Sequence, residues 1–136
     1  EYKILCKFGA WMKVNKQAII NTRPWTVFGE GPIAESKVEL HAQGFNEDAY
    51  SKATAAEIRF TQTGKSLYAI CLAQPGGLAV TIHSLSLGNK LWPGKIRRVN
   101  LLGYGRVKFE RTADGLTVHL PAGYKAPISP VFQIMK

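Results

Sequence analysis

Along the first twenty residues the apolar positions recur at helical spacing. Ile4, Leu5, Phe8, Trp11 and Met12, then Asn15, Ala18 and Ile19, follow an i, i+3, i+4, i+7 rule, with Lys3, Lys7, Lys13 and Lys16 on the polar side. The spacing predicts an amphipathic helix from Glu1 to about Ile20. Gly9 weakens it by about 1 kcal/mol relative to alanine and points to close packing against a neighbour. The period changes inside Asn21-Thr22-Arg23-Pro24. Proline cannot continue a helix and biases the preceding residue toward extended geometry, while Asn and Thr side chains compete with helical hydrogen bonds. This is a junction between two kinds of structure.

Beyond it the apolar residues alternate. Trp25 to Phe28 reads as a short strand, and Gly29-Glu30-Gly31-Pro32 as a turn. Ile33 to Ala56 is polar and weakly periodic, the pattern of a long surface loop. From Glu57 onward short strands follow one another. Ile58 and Phe60 alternate with polar neighbours, Thr63-Gly64-Lys65 supplies a hairpin turn, and Leu67 to Leu72 is apolar throughout, as in a central strand. Gln74 to Gly77, Trp92-Pro93-Gly94 and Asp114-Gly115 mark further turns. Leu78, Val80 and Ile82, the run Ile96 to Leu102, Val107 with Phe109, Leu116 with Val118 and Leu120, and Phe132 with Ile134 supply the remaining strands. Short strands separated by Gly- and Pro-rich turns, with no helical crossovers, indicate an antiparallel sandwich or barrel.

Composition narrows the field. The 136 residues suffice for one compact domain. A hydrophobic fraction of 46% and a mean hydropathy of −0.08 are those of an ordinary globular protein, and no apolar run approaches the roughly 20 residues of a membrane span. The opening residues lack the basic start and apolar run of a leader, which in an internal fragment says nothing of location. The net charge of +9 raises nucleic-acid binding. Yet the basic residues are dispersed, only Arg97 and Arg98 adjoin, and no aromatic-rich RNA-binding motif accompanies Arg106 and Lys108. We expect a solvated basic surface and no nucleic-acid partner. Cys6 and Cys71 are the only cysteines, and His41, His83 and His119 show no ligand spacing, so neither a metal nor another cofactor is expected. Both cysteines read as buried free thiols.

The stretch Trp11 to Pro32 resembles the segment of alpha-L-fucosidases, the retaining glycosidases of glycoside hydrolase family 29, in which the last helix of the catalytic barrel hands over to a C-terminal β-sandwich. Those enzymes typically read G-E-W-L-K-V-N-G-E-A-I-Y-G-T-R-P-W there, then a phenylalanine or tyrosine and G-E-G-P. This chain agrees at Gly9, Trp11, Lys13 to Asn15, Ala18, Ile19, Thr22 to Trp25 and Phe28 to Pro32, and departs at Ala10, Met12, Lys16, Gln17, Ile20 and Asn21. Weaker likeness continues through Glu57 to Thr61, Leu67 to Ile70 and Asp114 to Val118. The resemblance implies a mainly β chain: an antiparallel two-sheet β-sandwich over residues 23–136, preceded over residues 1–22 by the last helix of a missing barrel. It implies a parent that removes terminal alpha-L-fucose from glycans through a covalent intermediate, in a secreted, periplasmic or lysosomal setting.

A retaining glycosidase needs two carboxylates about 5 Å apart. The chain has nine acidic residues, and each has a plainer explanation. Glu1, Glu35, Glu39, Glu47 and Asp48 fall at an element end or in the weakly ordered stretch. Glu57 opens a strand beside Arg59, Glu110 alternates with Lys108, and Asp114 is a turn residue. Glu30, between two glycines, reads as a loop carboxylate bonded to backbone or to Arg23. No catalytic residue is therefore expected, nor a nucleophile at His83-Ser84, which lacks the Gly-x-Ser-x-Gly elbow. In the resembled family both catalytic carboxylates sit on the barrel. The chain is expected to be an inactive accessory piece bracing that barrel, with Phe8, Trp11 and Met12 contacting it or a second copy. The competing reading is a carbohydrate-binding module for fucosylated glycans, with Trp92 and Tyr104 at turns as stacking platforms. Against it, such side chains can fold back to cap the sandwich ends, as Tyr50 and Tyr124 can from their loops.

Overall fold

A computed structural model of the chain describes residues 2–31, 56–75, 77–124 and 129–136. The expected loop from Ile33 to Ala56, with Glu35, Glu39, His41, Glu47, Asp48 and Tyr50, lies outside the described residues except for Ala56, and Glu1, Pro32 and Gly76 lie outside them too.

The chain opens with helix α1 (Tyr2–Asn15), which tightens into a 3₁₀ turn at Lys16–Ala18. Among the described residues nine strands follow: β1 (Arg23–Glu30), β2 (Ile58–Gln62), β3 (Ser66–Cys71), β4 (Ala79–Ile82), β5 (Arg98–Leu101), β6 (Gly105–Arg106), β7 (Phe109–Thr112), β8 (Gly115–His119) and β9 (Val131–Met135), with a second 3₁₀ turn at His83–Leu85 after β4. They form two antiparallel sheets, a six-stranded one ordered β1-β2-β3-β9-β5-β6 and a three-stranded one ordered β4-β8-β7. The mainly β, two-sheet architecture with one N-terminal helix is the one expected.

The core lies between the sheets. Ile58, Phe60, Leu67, Ala69, Cys71, Val99, Leu101, Phe132 and Ile134 face Val80, Ile82, Leu116 and Val118 across it. Strand residues alternate between faces, so Tyr68, Ile70 and Val131 point the other way, to meet Trp11 and Ala18 of the helical segment in a second cluster. β3 is thus buried on both faces, which explains its unbroken apolar run. Trp11 Nε1 donates to the Ser129 carbonyl at 3.1 Å, and Thr61 Oγ1 donates to the Ala18 carbonyl at 2.5 Å. Gly103, at φ +84°, lies where a Cβ would stand 2.5 Å from Val14 Cγ1, so the helix and the β5–β6 turn meet without a side chain between them.

Several elements differ from the sequence pattern. The α-helix ends at Asn15 rather than near Ile20, and the chain then reverses through Asn21 in the left-handed region (φ +61°), a conformation asparagine tolerates. Gly29 and Glu30 continue β1 instead of turning, because they pair with Arg59 and Ile58 of β2. A Cβ on Gly29 would stand 2.6 Å from the Ile58 carbonyl oxygen, so glycine permits the close approach rather than breaking the strand. Val107 and Phe109 do not share one strand: the chain crosses between sheets there, with β6 in the larger and β7 in the smaller. Cys6 is exposed on α1, and only Cys71 is a buried thiol.

Candidate functional site

The irregular stretch between β4 and β5 closes one end of the sandwich, and the Arg111 side chain ties its middle in place. Along Val107, Phe109 and Arg111 the side chains turn inward, alternating with outward Lys108 and Glu110. The Arg111 guanidinium consequently reaches four backbone carbonyls of the crossing loop. Nε donates to Leu85 at 2.9 Å, Nη1 to Gly94 at 2.6 Å, and Nη2 to Trp92 at 2.9 Å and Ser86 at 3.2 Å. Asn89 Oδ1 accepts from the Leu91 N–H at 2.9 Å and adds a local turn. So held, Trp92 inserts into the main core at 7% exposure, with its indole N–H 3.4 Å from the Lys95 carbonyl.

Between this loop and the tips of β1, β2, β3 and β9 lies a cavity of about 500 Å³, bounded by Trp25, Leu67, Leu91, Trp92, Pro93 and Met135, with Gln62, Lys65 and Lys136 at its polar margin. Trp25 packs edge-on against Phe60 at 5.0 Å between ring centroids, and Lys136 Nζ stands 5.7 Å from the Trp92 ring centroid.

At the end of β1 a second arrangement is built around Glu30, which is 5% exposed. Its Oε2 accepts the His83 N–H and its Oε1 the Ser84 N–H, each at 2.8 Å, so both oxygens satisfy the first donors of the 3₁₀ turn. The backbone bonding expected for this carboxylate is present, while the partners lie 53 and 54 residues away and Arg23 is not among them. Glu57, also buried, pairs with Arg59 at 3.3 Å. The same guanidinium donates to the Glu30 carbonyl at 3.4 Å and lies over the Phe28 ring, 5.6 Å from its centroid. Each of these two buried carboxylates is engaged by a structural partner. A glycosidase pair instead presents both groups to a sugar bond.

Cys71 lies fully buried near this cluster. Burial, and secondarily the charge of Glu30, push its thiol from 9.0 up to about 12. An unfolded chain therefore gives up this proton from about pH 9 while the folded chain keeps it. Stability falls as pH rises from about 9 to about 12, by up to about 1.4 kcal/mol per pH unit. Urea titrations across that interval should show the slope in the wild type and its loss in Cys71→Ala. An equal slope in both would refute the assignment. Burial, and secondarily Cys71, also raise the Tyr124 hydroxyl.

The structure places the sequence-derived candidates apart. Trp92 is enclosed in the end cap. Tyr104 is exposed at the β5–β6 turn, edge-on to Tyr124 at 6.4 Å, and borders a different hollow with Arg106, Lys108 and His119. Trp11 is buried against the sandwich and Met12 half-buried beside it, whereas Tyr2, Ile4, Leu5 and Phe8 stand 56% or more exposed. Of the expected apolar helix face, only the C-terminal half is covered among the described residues. A Cβ on Gly9 would meet nothing within 4 Å, so the neighbour its position suggested is not part of this chain as described. His83 and His119 are exposed, and His83 Nδ1 sits 2.9 Å from the Asp114 carbonyl. Among the described residues no three His, Cys, Asp or Glu side chains gather as metal ligands, and no helix is long and apolar enough to cross a membrane. Arg111 had no sequence motif. Its one signal was a basic residue in the inward register of a strand.

Solved structures share this fold. An alpha-fucosidase of Thermotoga maritima in complex with a mechanism-based inhibitor superposes with a TM-score of 0.60 at 19% identity, over 94% of this chain and 24% of that one. An alpha-L-fucosynthase of the same organism, in complex with alpha-L-Fuc-(1-2)-beta-L-Fuc-N3, gives 0.59 at 19% identity, over 93% and 24%. A further alpha-L-fucosidase gives 0.60 at 21% identity, over 94% and 24%. The chain thus spans about a quarter of the length of these enzymes, and the likeness is one of fold. No curated protein matches the sequence. The sequence itself, over residues 51–134, matches the family described as the alpha-L-fucosidase C-terminal domain, and the chain belongs to that family.

Proposed function

We propose that this chain is the non-catalytic C-terminal portion of a longer alpha-L-fucosidase, in which it braces the catalytic barrel. Residues 1–22 are then a helix belonging with the barrel and residues 23–136 the sandwich attached to it. The parent removes terminal alpha-L-fucose from glycans by a retaining mechanism, and its paired carboxylates lie on the barrel. The observation that carries this reading is helix α1. Its C-terminal half is fixed to the sandwich through Trp11, and the 3₁₀ turn that follows through Ala18, while Ile4, Leu5 and Phe8 on the same helix are solvent-exposed. An apolar row on a rigid, anchored helix marks a contact surface. Fully burying each such side chain contributes about 1.5–3 kcal/mol, enough for the row to hold a second domain. Gly9, with open space at its Cα, lets that domain approach closely. Family membership and the 24% coverage of the related enzymes support a barrel as the occupant.

The variant Leu5→Glu/Phe8→Glu tests the proposal in two settings. In this chain alone both side chains are exposed, so its unfolding free energy should change by no more than about 0.5 kcal/mol. In the longer enzyme the same change should lower the thermal midpoint by several degrees, because two buried apolar contacts become buried charges. An unchanged midpoint in the longer enzyme would refute docking through this face. Light scattering of this chain supplies the other arm: a dimer dissolved by Phe8→Glu would assign the face to self-association instead.

A further inference from the structure

We infer that the cavity at the capped end of the sandwich is a binding site for a small monocyclic anion, a ring with one apolar face and a carboxylate or sulfate. The inference does not depend on the bracing role. It follows from the chemistry of the walls. The cavity, about 500 Å³, lies within the size of small-molecule sites and has their character of apolar walls with a few polar groups. Trp25 is only half-buried, so part of its ring is available to a ligand, and Leu91, Pro93 and Met135 continue the apolar wall. A ring with a C–H or π face gains from such a wall.

The polar margin selects for negative charge. Lys65 and Lys136 are both exposed there, and among the described residues neither has a carboxylate partner. No acidic side chain lines the cavity. The Trp25 indole N–H has no acceptor among the described residues, whereas the Trp92 indole is already directed at Lys95. Gln62 donates through Nε2 to the Pro24 carbonyl at 2.8 Å. The lining therefore carries two ammonium groups, Lys65 and Lys136, the latter 5.7 Å from the Trp92 ring centroid, beside a Trp25 indole whose N–H has no acceptor among the described residues, in a chain of net charge +9. A neutral sugar could use the wall but not the two charges.

The cap is pre-formed, since Arg111 pins the loop that carries Leu91, Trp92 and Pro93. A site held rigid before binding loses less entropy on association. Two kinds of molecule share the required chemistry, a uronic acid or sulfated sugar and an aromatic carboxylate.

The experiment is a titration of the ¹⁵N-labelled chain at low salt with sodium D-glucuronate and with sodium benzoate, and with D-glucose and L-fucose as neutral controls. The indole N–H signal of Trp25 and the backbone signals of Lys65 and Met135 should shift with at least one anion and not with the neutral sugars. Which anion shifts them names the ligand source. Lys65→Glu/Lys136→Glu, two exposed substitutions that leave the fold's own signals in place, should weaken binding at least about tenfold. Raising salt should weaken it as well. Shifts of equal size with L-fucose, no shift with either anion at millimolar concentration, or unchanged affinity in the double variant would each overturn the proposal.

Discussion

Arg111→Ala should lower the stability of this chain by about 3 kcal/mol, or about 10 °C in thermal midpoint for a domain of this size. The side chain donates to four carbonyls at 2.6–3.2 Å. Hydrogen bonds from charged groups contribute about 1.5–3 kcal/mol each when measured singly. Four on one planar group do not add, and water can replace some of them once the loop loosens, so the total settles near the value of the best one or two. Arg111→Lys should recover little, because one ammonium cannot span carbonyls on both sides of a loop. The readout specific to this account is Trp92: its fluorescence should shift to the red as the cap opens, while the helix contacts of Trp11 are retained. A loss below about 1 kcal/mol with unaltered Trp92 emission would show that the loop holds itself.

Glu30→Ala should cost a similar amount, about 3 kcal/mol, by leaving the His83 and Ser84 N–H groups without their acceptor. Glu30→Gln should cost less, since one carbonyl oxygen remains. Both changes remove a charge that raises the Cys71 thiol, so in each variant the high-pH loss of stability should still begin near pH 9 but end below about 12. That second effect separates the ionic role of Glu30 from its shape. A variant as stable as the wild type, with an unmoved alkaline slope, would mean that the carboxylate does neither.

The sequence carried the fold through β3 and the helix more than through the turns. The apolar run Leu67 to Leu72 reads as a central strand, and the helical segment and the sandwich core bury the two faces of β3. At Gly29-Glu30, local chemistry favoured a turn, and pairing with β2 overrode it. The helix boundary differs for a related reason: Ala18 and Ile19 keep the apolar period of a helix although the backbone has tightened to 3₁₀ geometry at Lys16–Ala18 and leaves it at Ile19. Periodicity shows which helix face is apolar. It is silent on what covers that face, so exposed Ile4 and Phe8 and buried Trp11 looked alike. Arg111 and Glu30 were hidden differently. Their partners are backbone groups of segments 17 to 54 residues away in sequence, and a carbonyl or an N–H leaves no residue type to read. Trp92, singled out as a turn aromatic, was visible as a residue but not as the inner surface of a cap.

The whole account turns on whether sugar-bond chemistry resides in this chain or in polypeptide joined to it. The direct measurement is hydrolysis of an aryl alpha-L-fucoside by the purified, folded chain, beside the longer enzyme under the same conditions. The account predicts turnover by the longer enzyme, none above buffer by the chain, and no effect of Glu30→Gln on the catalytic step of the longer enzyme. Turnover by the chain alone, abolished by Glu30→Gln in a protein that remains folded, would contradict it.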